Sequence, residues 1–409
     1  MISVKEAQNL IKRNTFFPGV RKIQVENSLG YILAQDIKAP ISLPVMDNSA
    51  MDGYVLRAKD VEAARHGNPV LLKIRGVLKA GDSGHMRLRE GEAYQIMTGA
   101  PIPIGADTVL TKEAARVQNR CLVVDHALPL ARHIRREGEE IKKGVQVLKR
   151  NAVIHPGTIA VLTSLGIRDV KVFKKPRVSV IATGSELVKP GRFLRPGKIY
   201  DSNSSMIAAS LRDMGIDIVL KKTVRDQPKA IRRVIQKALG LSEAVILLGG
   251  VSVGDYDYVK DILKKLGVKT IFWKVKQKPG KPLYFGKRKN TLIFGLPGNP
   301  ASAYICFYEY VYSALRLMSG FQKPDLLREH VRIENEVKSD PQKSVFLKGK
   351  LNQNHQGNTV LALRYQGSHM VSSLHEANGF IVLPQGVAQI ERGELVIVDR
   401  LPHSREDRS

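Results

Sequence analysis

The chain has 409 residues, of which 43% are hydrophobic, so it is long enough for two to four domains with sizeable cores. No apolar run approaches the roughly 20 residues of a membrane-spanning helix, and the first residues, MISVKEAQNLIKRN, lack the apolar core of a signal peptide. The net charge is +27, but the basic residues are dispersed and only 6% of residues are aromatic. We therefore expect a cytoplasmic protein that binds neither a membrane nor nucleic acid.

In chain order, the sequence first predicts an amphipathic helix within residues 1–30, from apolar residues at helical spacing. Residues 40–150 read as mostly β, because short β-branched runs alternate with Gly and Pro turns. A helix and a short strand follow in residues 151–172. Residues 176–320 alternate strands and helices, which is typical of a parallel sheet with helices on both faces, and residues 327–400 return to short β runs.

The two cysteines, Cys121 and Cys306, lie far apart in apolar stretches, CLVV and YICFY. This setting favours two core thiols over a disulfide or a metal site. The ten histidines show no metal-ligand spacing, and neither a Ser-His-Asp nor a Cys-His arrangement is evident. GxGxxG after a strand is also absent, which argues against a Rossmann dinucleotide site.

Ligands of an open parallel α/β sheet bind beyond the carboxyl ends of its strands, and unusual residues follow three of the predicted strands. The first segment is ATGSEL, where Gly184 allows close approach of a ligand and Glu186 can accept hydrogen bonds from a heterocycle. The alternative without a binding role is a strand-to-loop turn with a solvent-facing glutamate.

The second segment, GGVSVGDYDYVK, follows the apolar run AVILL. Its glycines, Gly249 and Gly250, clear space at the strand end, and Ser252 can contact a phosphate. Asp255 and Asp257 precede a helix, so one of them can serve as a helix cap. A second aspartate beside a phosphate loop predicts a Mg²⁺ ligand, and the residues alone leave open which of the two aspartates has which role.

The third segment, FGLPGNPASA, places Asn299 between Pro297 and Pro300 in a stiff turn. The helix that follows offers free N–H groups as an anion site. Upstream, Lys278 and Lys281 flank a Pro-Gly pair, and with nearby Lys274 they predict a positive cluster suited to an oxyanion. The alternative for these lysines is a solvated charge run.

Two loops of the β region, PVMDNSAMDGYVLR and MTGAPIPIGADTVL, are too polar for plain turns. We expect them to reach a site, across a subunit interface if the site lies in the α/β region.

Seven motifs in this order, DNSAMDGY, MTGAPIP, ATGSEL, DSNS, GGVSVGDYDYVK, KPGKPLYFG and GLPGNP, closely resemble the MoeA/gephyrin E-domain family of molybdopterin molybdenumtransferases. The resemblance implies a multidomain fold that combines α/β and β domains. It implies an extended N-terminal domain at 1–42 and 139–174, a β-rich insertion at 43–138, a three-layer α/β molybdopterin-binding domain at 175–326, and a C-terminal β-barrel with a disordered tail at 327–409.

The resemblance also implies a reaction in which molybdate is inserted into adenylylated molybdopterin, AMP is released and Mg²⁺ is required. It implies a homodimer whose cleft includes N-terminal motifs of the other subunit, and a transient contact with the adenylyltransferase that acts one step earlier. The resemblance implies that Lys278 and Lys281 hold molybdate. It assigns the metal or the pterin to Asp257 together with Asp226 and Glu186. It also implies that Asp52 acts from the other subunit. The remaining implied substrate-binding positions are Thr98, Gly184, Gly250, Ser252, Lys274, Pro297, Asn299, Pro300, Arg135, Arg136, Lys348 and Ser372.

Two positions depart from the family pattern. Lys348 stands where many members carry arginine, and a lysine lacks the planar, forked donor group of arginine. Ser185 stands where aspartate is frequent. Three other functions stay open, namely a non-catalytic molybdopterin-binding scaffold, a molybdopterin adenylyltransferase and a nucleic-acid-binding protein. The sequence does not distinguish molybdate from tungstate, because both are tetrahedral dianions.

Overall fold

The computed structural model describes residues 1–250, 258–354 and 357–402. None of the helices in these ranges is long and apolar enough to cross a membrane. The α-helices are α1 (Val4–Asn14), α2 (Pro156–Ser164), α3 (Ser202–Asp213), α4 (Pro228–Leu241), α5 (Val259–Lys265), α6 (Pro300–Cys306), α7 (Ser313–Met318) and α8 (Ser373–Glu376). Short 3-10 turns span Val25–Asn27, Ala58–Val61 and Lys112–Ala114, and a π-helical segment, Phe307–Tyr312, joins α6 to α7.

The strands, in chain order, are β1 (Val20–Gln24), β2 (Ile37–Lys38), β3 (Asn48–Ser49), β4 (Gly53–Leu56), β5 (Val70–Leu78), β6 (Glu92–Ile96), β7 (Thr108–Thr111), β8 (Arg116–Gln118), β9 (Cys121–Val124), β10 (Ile134–Arg135), β11 (Gln146–Leu148), β12 (Asp169–Phe173), β13 (Val178–Thr183), β14 (Leu187–Val188), β15 (Ile199–Tyr200), β16 (Ile218–Val224), β17 (Ala244–Leu248), β18 (Lys269–Trp273), β19 (Gln277–Lys278), β20 (Tyr284–Arg288), β21 (Thr291–Leu296), β22 (Leu327–Ile333), β23 (Val337–Lys338), β24 (Ser344–Asn354), β25 (Gly357–Ala362), β26 (Gly379–Leu383), β27 (Gln389–Ile390) and β28 (Leu395–Arg400).

Backbone contacts divide the chain into two compact units. The first unit comprises Met1–Ile23, Gly30–Ala34 and Lys171–Ser409, and the second comprises Gln24–Leu29 and Gln35–Val170. The four domain boundaries expected from the sequence stay a prediction.

The second unit is built on a six-stranded sheet in the order β7-β4-β6-β5-β9-β8. Buried aliphatic side chains such as Leu72, Leu110 and Leu122 form its core. Two small antiparallel pairs, β10 with β3 and β11 with β2, complete the unit. The mostly β region predicted for residues 40–150 is confirmed by these strands.

The first unit contains a six-stranded sheet in the order β16-β13-β17-β21-β20-β18. Strands β16, β13, β17 and β21 are parallel, and β20 runs antiparallel to both of its neighbours. The sequence pattern predicted the parallel strands but did not indicate β20, whose antiparallel pairing makes the sheet mixed. The reason is local, because only two residues separate β20 from β21 and such a short connection forces an antiparallel hairpin.

Helices cover both faces of this sheet, as the alternating pattern predicted. Val180 and Ile246 face a core that includes α1, α3 and the long helix α6–α7, whereas Val245 and Leu247 face α4 and α5. This opposite burial of successive residues follows from the two-residue period of a strand. The long apolar helix predicted after the last strand of this sheet is confirmed as α6–α7. The π-helical segment interrupts it, which the sequence pattern did not indicate.

The C-terminal strands close into a barrel in the order β24-β25-β22-β28-β26, with β26 returning to β24. This confirms the predicted C-terminal β-barrel. Strand β19, which precedes the hairpin of the α/β sheet, joins the barrel sheet by pairing with β24 in parallel.

Candidate functional site

The carboxyl ends of β13, β17 and β21 open into one cavity of about 740 Å³, hereafter the strand-end cavity. Parallel strands place their carboxyl ends at one edge, so the loops that follow them meet there. The predicted site residues that line it are Gly184, Glu186, Asp226, Gly250, Pro297, Asn299 and Pro300. The structure therefore brings together three segments that are up to 116 positions apart in the sequence, counting from Gly184 to Pro300.

The glycine pair at the end of β17 is required by its backbone and by its packing. Gly249 and Gly250 have φ angles of +80° and +68°, which side-chain-bearing residues rarely adopt. A Cβ atom on Gly250 would lie 2.7 Å from both Thr183 Oγ1 and a methyl of Val259. The glycines thus let the chain turn tightly against β13, as expected from the sequence.

The loop that follows β13 holds the Asp226 carboxylate in place at the strand-end cavity. Its Oδ2 accepts a hydrogen bond from the Ser185 N–H at 2.8 Å, and the Asp226 N–H donates to Ser185 Oγ at 3.1 Å. Asp226 does not cap α4, because Gln227 occupies the cap position and Pro228 begins the helix. Its carboxylate instead accepts the N–H of the neighbouring loop.

Glu186 is exposed, and its carboxylate folds back over Gly184. A Cβ at Gly184 would lie 2.7 and 2.8 Å from the two Glu186 carboxylate oxygens, so only glycine leaves room for this arrangement. Among the described residues the Glu186 carboxylate has no hydrogen-bond or ion-pair partner. It is therefore free to bind a ligand in the strand-end cavity.

Sequence reasoning missed two further polar atoms at this cavity. The Thr183 hydroxyl and the Asn203 amide oxygen are buried and have no hydrogen-bond partner among the described residues, and both residues line the strand-end cavity. Unpaired buried polar atoms are costly, which makes them good contacts for a polar ligand. Asp201 is different: its carboxylate accepts from Ser204 and Thr223, so it caps α3 and serves the fold.

The resemblance implies Mg²⁺, and the donor set of the strand-end cavity fits it. Glu186 and Asp226 supply oxygen atoms, and Mg²⁺ commonly takes one or two carboxylates together with substrate phosphates. In the described ranges no group of three or more His, Cys, Asp or Glu side chains is arranged to hold a metal ion by itself. The predicted ligand Asp257 and the predicted phosphate contact Ser252 lie outside the described residues.

A second cavity of about 820 Å³, hereafter the lysine cavity, lies between the turn after β19 and the barrel. Its charged lining comprises Lys278, Lys281, Glu336, Lys338, Asp340, Lys343 and Arg364. Five basic side chains against two acidic ones make it a positive cavity. By contrast, the described residues that line the strand-end cavity include three acids and neither lysine nor arginine.

The two predicted lysines are exposed, as a binding role requires. Lys278 and Asp340 both line the lysine cavity, and the positive charge of Lys278 stabilises the ionised Asp340 carboxylate. Hydrogen bonds from Lys343 and Gln342, helped by the charges of Lys343 and Lys278, hold the pKa of the Asp340 carboxyl below its ordinary value. The third predicted lysine, Lys274, is absent from the lining of both cavities, and its ammonium lies 4.0 Å from the centre of the Trp273 ring.

Pro282, Pro297 and Asn299 line both cavities, so the cavities adjoin each other. The Asn299 side chain donates to Ser368 Oγ at 2.9 Å, which ties the start of α6 to a barrel loop. The Ser368 carbonyl also accepts from the Ala301 N–H at 3.0 Å. That N–H of α6 is therefore not free for an anion, contrary to expectation.

The two barrel residues predicted to contact substrate lie away from both cavity linings. The Lys348 side chain is buried, with Nζ 3.4 Å from the Gly367 carbonyl and 3.5 Å from the Met370 carbonyl, and burial lowers its pKa to about 8. Ser372 is exposed at the start of α8. The serines of the C-terminal region that line the lysine cavity are instead Ser339 and Ser368, and the roles of Lys348 and Ser372 stay predictions.

In the second unit, the two polar loops singled out in the sequence meet. Asp52 Oδ1 accepts from both the backbone N–H and the hydroxyl of Thr98, each at 2.7 Å. These hydrogen bonds lower the pKa of the Asp52 carboxyl below its ordinary value. Asp52 and Thr98 are thus one exposed polar pair.

The basic segment HIRREGEEI lies beside the first of these loops, because β10 pairs with β3. Arg136 forms an ion pair with Asp47 at 2.5 Å. Burial favours a raised pKa of Asp47, but hydrogen bonds from Glu137 and Arg136 outweigh it and hold the pKa below its ordinary value. Arg135 is exposed, and no hydrogen bond or ion pair of its guanidinium is found among the described residues, so it is the freer of the two.

Comparison with known families covers nearly the whole chain. Residues 2–166 match the MoeA N-terminal region (domain I and II), residues 179–317 match a probable molybdopterin binding domain, and residues 330–401 match the MoeA C-terminal region (domain IV).

Individual proteins give the same result. Molybdopterin molybdenumtransferase 2 of Mycobacterium tuberculosis is 34% identical over 398 residues, covering 96% of this chain and 98% of the relative. Molybdopterin molybdenumtransferase of Haemophilus influenzae is 33% identical, covering 98% and 99%. A crystal structure of a molybdopterin biosynthesis MoeA protein from Pyrococcus horikoshii is similar with a TM-score of 0.84 at 31% identity, covering 98% of this chain and 99% of that one.

Proposed function

The chain belongs to the MoeA family of molybdopterin molybdenumtransferases, and we propose that it inserts molybdate into adenylylated molybdopterin with release of AMP. The observation that carries this proposal is the pair of adjoining cavities with opposite charge. A reaction that joins a pterin to an oxyanion needs two neighbouring binding places. Pro282, Pro297 and Asn299 form the wall that both cavities share.

The strand-end cavity takes the pterin in this proposal. Pterins carry ring N–H and carbonyl groups, which pair with acceptors and donors on the protein. Glu186 and the Asn203 amide oxygen are acceptors without partners in the described protein, and the Thr183 hydroxyl can donate or accept. The glycines at 184, 249 and 250 leave the cavity open to the ring.

The lysine cavity takes molybdate. Lys278 and Lys281 present two ammonium groups from one turn, and a dianion between them gains attraction from both. The dithiolene sulfurs of the pterin then meet molybdate at the wall that the two cavities share. Placing both reactants side by side supplies much of the rate enhancement through proximity.

Asp226 and Glu186, with Asp257, hold Mg²⁺ in this proposal. An ion held by these residues would supply positive charge against the phosphate during release of AMP. The hydrogen bond from the Ser185 N–H fixes one Asp226 oxygen and leaves Oδ1 for the ion. Ser185 therefore orients the ligand even though it lacks the carboxylate that is frequent at this position.

The exposed pair Asp52 and Thr98 acts at the cleft of the other subunit of a homodimer, and Arg135 lies in the same surface region of the second unit. Support comes from the two hydrogen bonds that Thr98 donates to Asp52, because they hold an exposed carboxylate in one position. The cytoplasmic location and the contact with the upstream adenylyltransferase are parts of the same proposal.

The decisive experiment incubates the protein with adenylylated molybdopterin, Mg²⁺ and either molybdate or tungstate, and follows AMP release. We expect release that depends on the oxyanion. Failure with both oxyanions would reject the transferase activity. Retention of bound molybdopterin without turnover would indicate a scaffold, and release of pyrophosphate from ATP and molybdopterin would indicate the adenylyltransferase.

A further inference from the structure

The turn that carries Lys278 and Lys281 rests on a buried side chain, Gln277, which is 1% exposed. The Gln277 side-chain amide donates to the Pro279 carbonyl at 3.0 Å, inside the turn itself. It also donates to Cys306 Sγ at 3.5 Å. The amide nitrogen thereby connects the backbone of the turn to α6.

The other end of the same amide is held by the π-helical segment. The Tyr310 hydroxyl donates to Gln277 Oε1, and Tyr310 is as deeply buried as Gln277. Tyr310 lies 33 positions from Gln277 in the sequence. Its hydroxyl reaches Gln277 from within the interruption between α6 and α7, at Phe307–Tyr312.

Cys306 supports the turn at a second point. Burial raises the pKa of the Cys306 thiol, so it keeps its proton and donates weakly to the Gly280 carbonyl at 3.7 Å. Packing is equally close, because a Cβ on Gly280 would lie 2.5 Å from Cys306 Sγ and 2.6 Å from the Gln277 amide nitrogen. The Pro-Gly turn thus fits directly onto Gln277 and Cys306.

Backbone hydrogen bonds close the base of the turn. The Val275 N–H donates to the Lys281 carbonyl at 3.0 Å, and the Ser344 N–H of the barrel donates to the Lys276 carbonyl at 3.1 Å. Held at its base and underneath, the turn has little freedom. Its two ammonium groups are the part that stays exposed.

We propose that Gln277 and Tyr310 are positioning residues that fix the turn of Lys278 and Lys281 for oxyanion binding. The proposal deepens the proposed function and rests on it, since that function assigns the lysines to molybdate. Two neighbouring ammonium groups repel each other before a dianion binds, and a loose turn lets them separate. A turn fixed from below keeps the pair ready, which reduces the ordering needed on binding.

The test compares Tyr310→Phe with Tyr308→Phe as a matched control. Both residues are buried in the π-helical segment and both variants lose one hydroxyl, but the Tyr308 hydroxyl bonds to Ser210 on α3 and not to the turn. The measurements are the molybdate dependence of AMP release, the dependence on adenylylated molybdopterin, the maximal rate, and the thermal unfolding midpoint.

We expect Tyr310→Phe to raise the molybdate KM by about three- to tenfold, the effect of losing one buried hydrogen bond. The maximal rate at saturating molybdate and the KM for adenylylated molybdopterin should stay at wild-type values. Tyr308→Phe should leave the molybdate KM unchanged. Equal molybdate KM values for the two variants, or an equal change of both substrate KM values in Tyr310→Phe, would overturn the proposal.

A second measurement separates this proposal from the proposed function. Calorimetric titration of the full chain with molybdate alone reports oxyanion binding without any turnover. If the wild type releases no AMP, the proposed function fails, and the titration still decides the positioning role. Weaker molybdate binding in Tyr310→Phe than in Tyr308→Phe supports it, whereas equal binding refutes it.

A second pair of variants keeps the proposal testable if the Tyr310→Phe protein does not fold. Cys306→Ala removes the thiol beneath Gly280, and Cys306→Ser restores a donor at the same place. We expect a raised molybdate KM in Cys306→Ala that Cys306→Ser brings back toward the wild-type value. No difference between these two variants would count against the proposal.

Discussion

The strand-end cavity and the lysine cavity hold their charged groups in different ways. In the first, Asp201 and Asp226 are held by hydrogen bonds to the carboxylates themselves. In the second, the ammonium groups of Lys278 and Lys281 have no hydrogen-bond or ion-pair partner in the part of the chain that the structure describes, and the protein holds the backbone that carries them. The difference suits the charges: carboxylates accept directed hydrogen bonds from N–H groups, whereas a long lysine side chain is most easily aimed through its backbone.

The largest expected effect separates the two cavities by charge. Replacing both lysines, Lys278→Ala with Lys281→Ala, should lower molybdate-dependent AMP release by about 10²–10³-fold, because the dianion loses its counter-charges. Binding of molybdopterin, measured by fluorescence titration, should stay at the wild-type level. Lys289→Ala, an exposed lysine outside both linings, is the control. Parallel loss of pterin binding would show that the cavities do not have separate substrates.

The complementary change removes one carboxylate from the strand-end cavity. Asp226→Asn should raise the Mg²⁺ concentration for half-maximal AMP release by about 10–100-fold, since the ion loses one charged ligand. The molybdate KM should not change. An Asp201→Asn variant is the matched comparison, because Asp201 lines the same cavity but is committed to capping α3. It should lower the unfolding midpoint without changing the Mg²⁺ dependence.

A smaller effect tests the glycine turn of the strand-end cavity. Gly250→Ala should lower the free energy of unfolding by about 1–3 kcal/mol, because alanine is strained at a φ of +68° and its Cβ meets Thr183 and Val259. Gly240→Ala is the control, because Gly240 lies in α4 with nothing within 4 Å of an added Cβ. That control should stabilise the protein slightly, by about 0.5–1 kcal/mol. Denaturant titration compares the two.

The smallest effect lies at a third place, away from both cavities. Burial raises the pKa of Glu309 well above its ordinary value, and the charges of Asp399 and Asp325 raise it further against the opposing Arg328. Its Oε1 has no hydrogen-bond partner within the described ranges, and its Oε2 accepts from Gln8. The folded state therefore keeps the Glu309 proton at pH values where the unfolded chain has lost it. For this group, stability falls as the pH rises above the unfolded-state pKa of about 4.3.

Glu309→Gln removes this pH dependence. We expect the variant to unfold about 2 °C or more above the wild type at pH 8 and at the same temperature near pH 4. Differential scanning calorimetry at both pH values measures the difference. Molybdate and Mg²⁺ dependence should match the wild type, which makes this variant a test that a change in stability alone leaves both cavities intact.

Much of the strand-end cavity could be predicted from the sequence. Glycines and prolines after strongly apolar strands indicate loops at one edge of a parallel sheet, and Gly184, Gly250 and Pro297 all line that cavity. The signal is local: a strand, a glycine and a polar residue stand next to each other in the chain. The same holds for the buried thiol of Cys306, which its apolar neighbours indicate.

Contacts over long sequence separations could not be predicted. In the sequence, Tyr310 is one of several aromatic residues of an apolar helix, and its hydroxyl does not stand out. Nothing next to Gln277 indicates a partner 33 positions away. Lys348 was expected to face a substrate, but a later loop covers it through the carbonyls of Gly367 and Met370. A pattern of residue types reports burial and turns, whereas pairing of single polar groups depends on the folded geometry.

Strand β19 has a consequence for protein engineering. Strand β19 lies before residue 326 and pairs with Ser344 and Val345 of β24, so the barrel sheet includes a strand from outside residues 327–409. Expressing residues 327–409 alone would leave that edge of β24 unpaired, and open strand edges promote association with other chains. The excised segment would therefore tend to self-associate, and a cut at residue 326 would also release the lysine turn from its outer support.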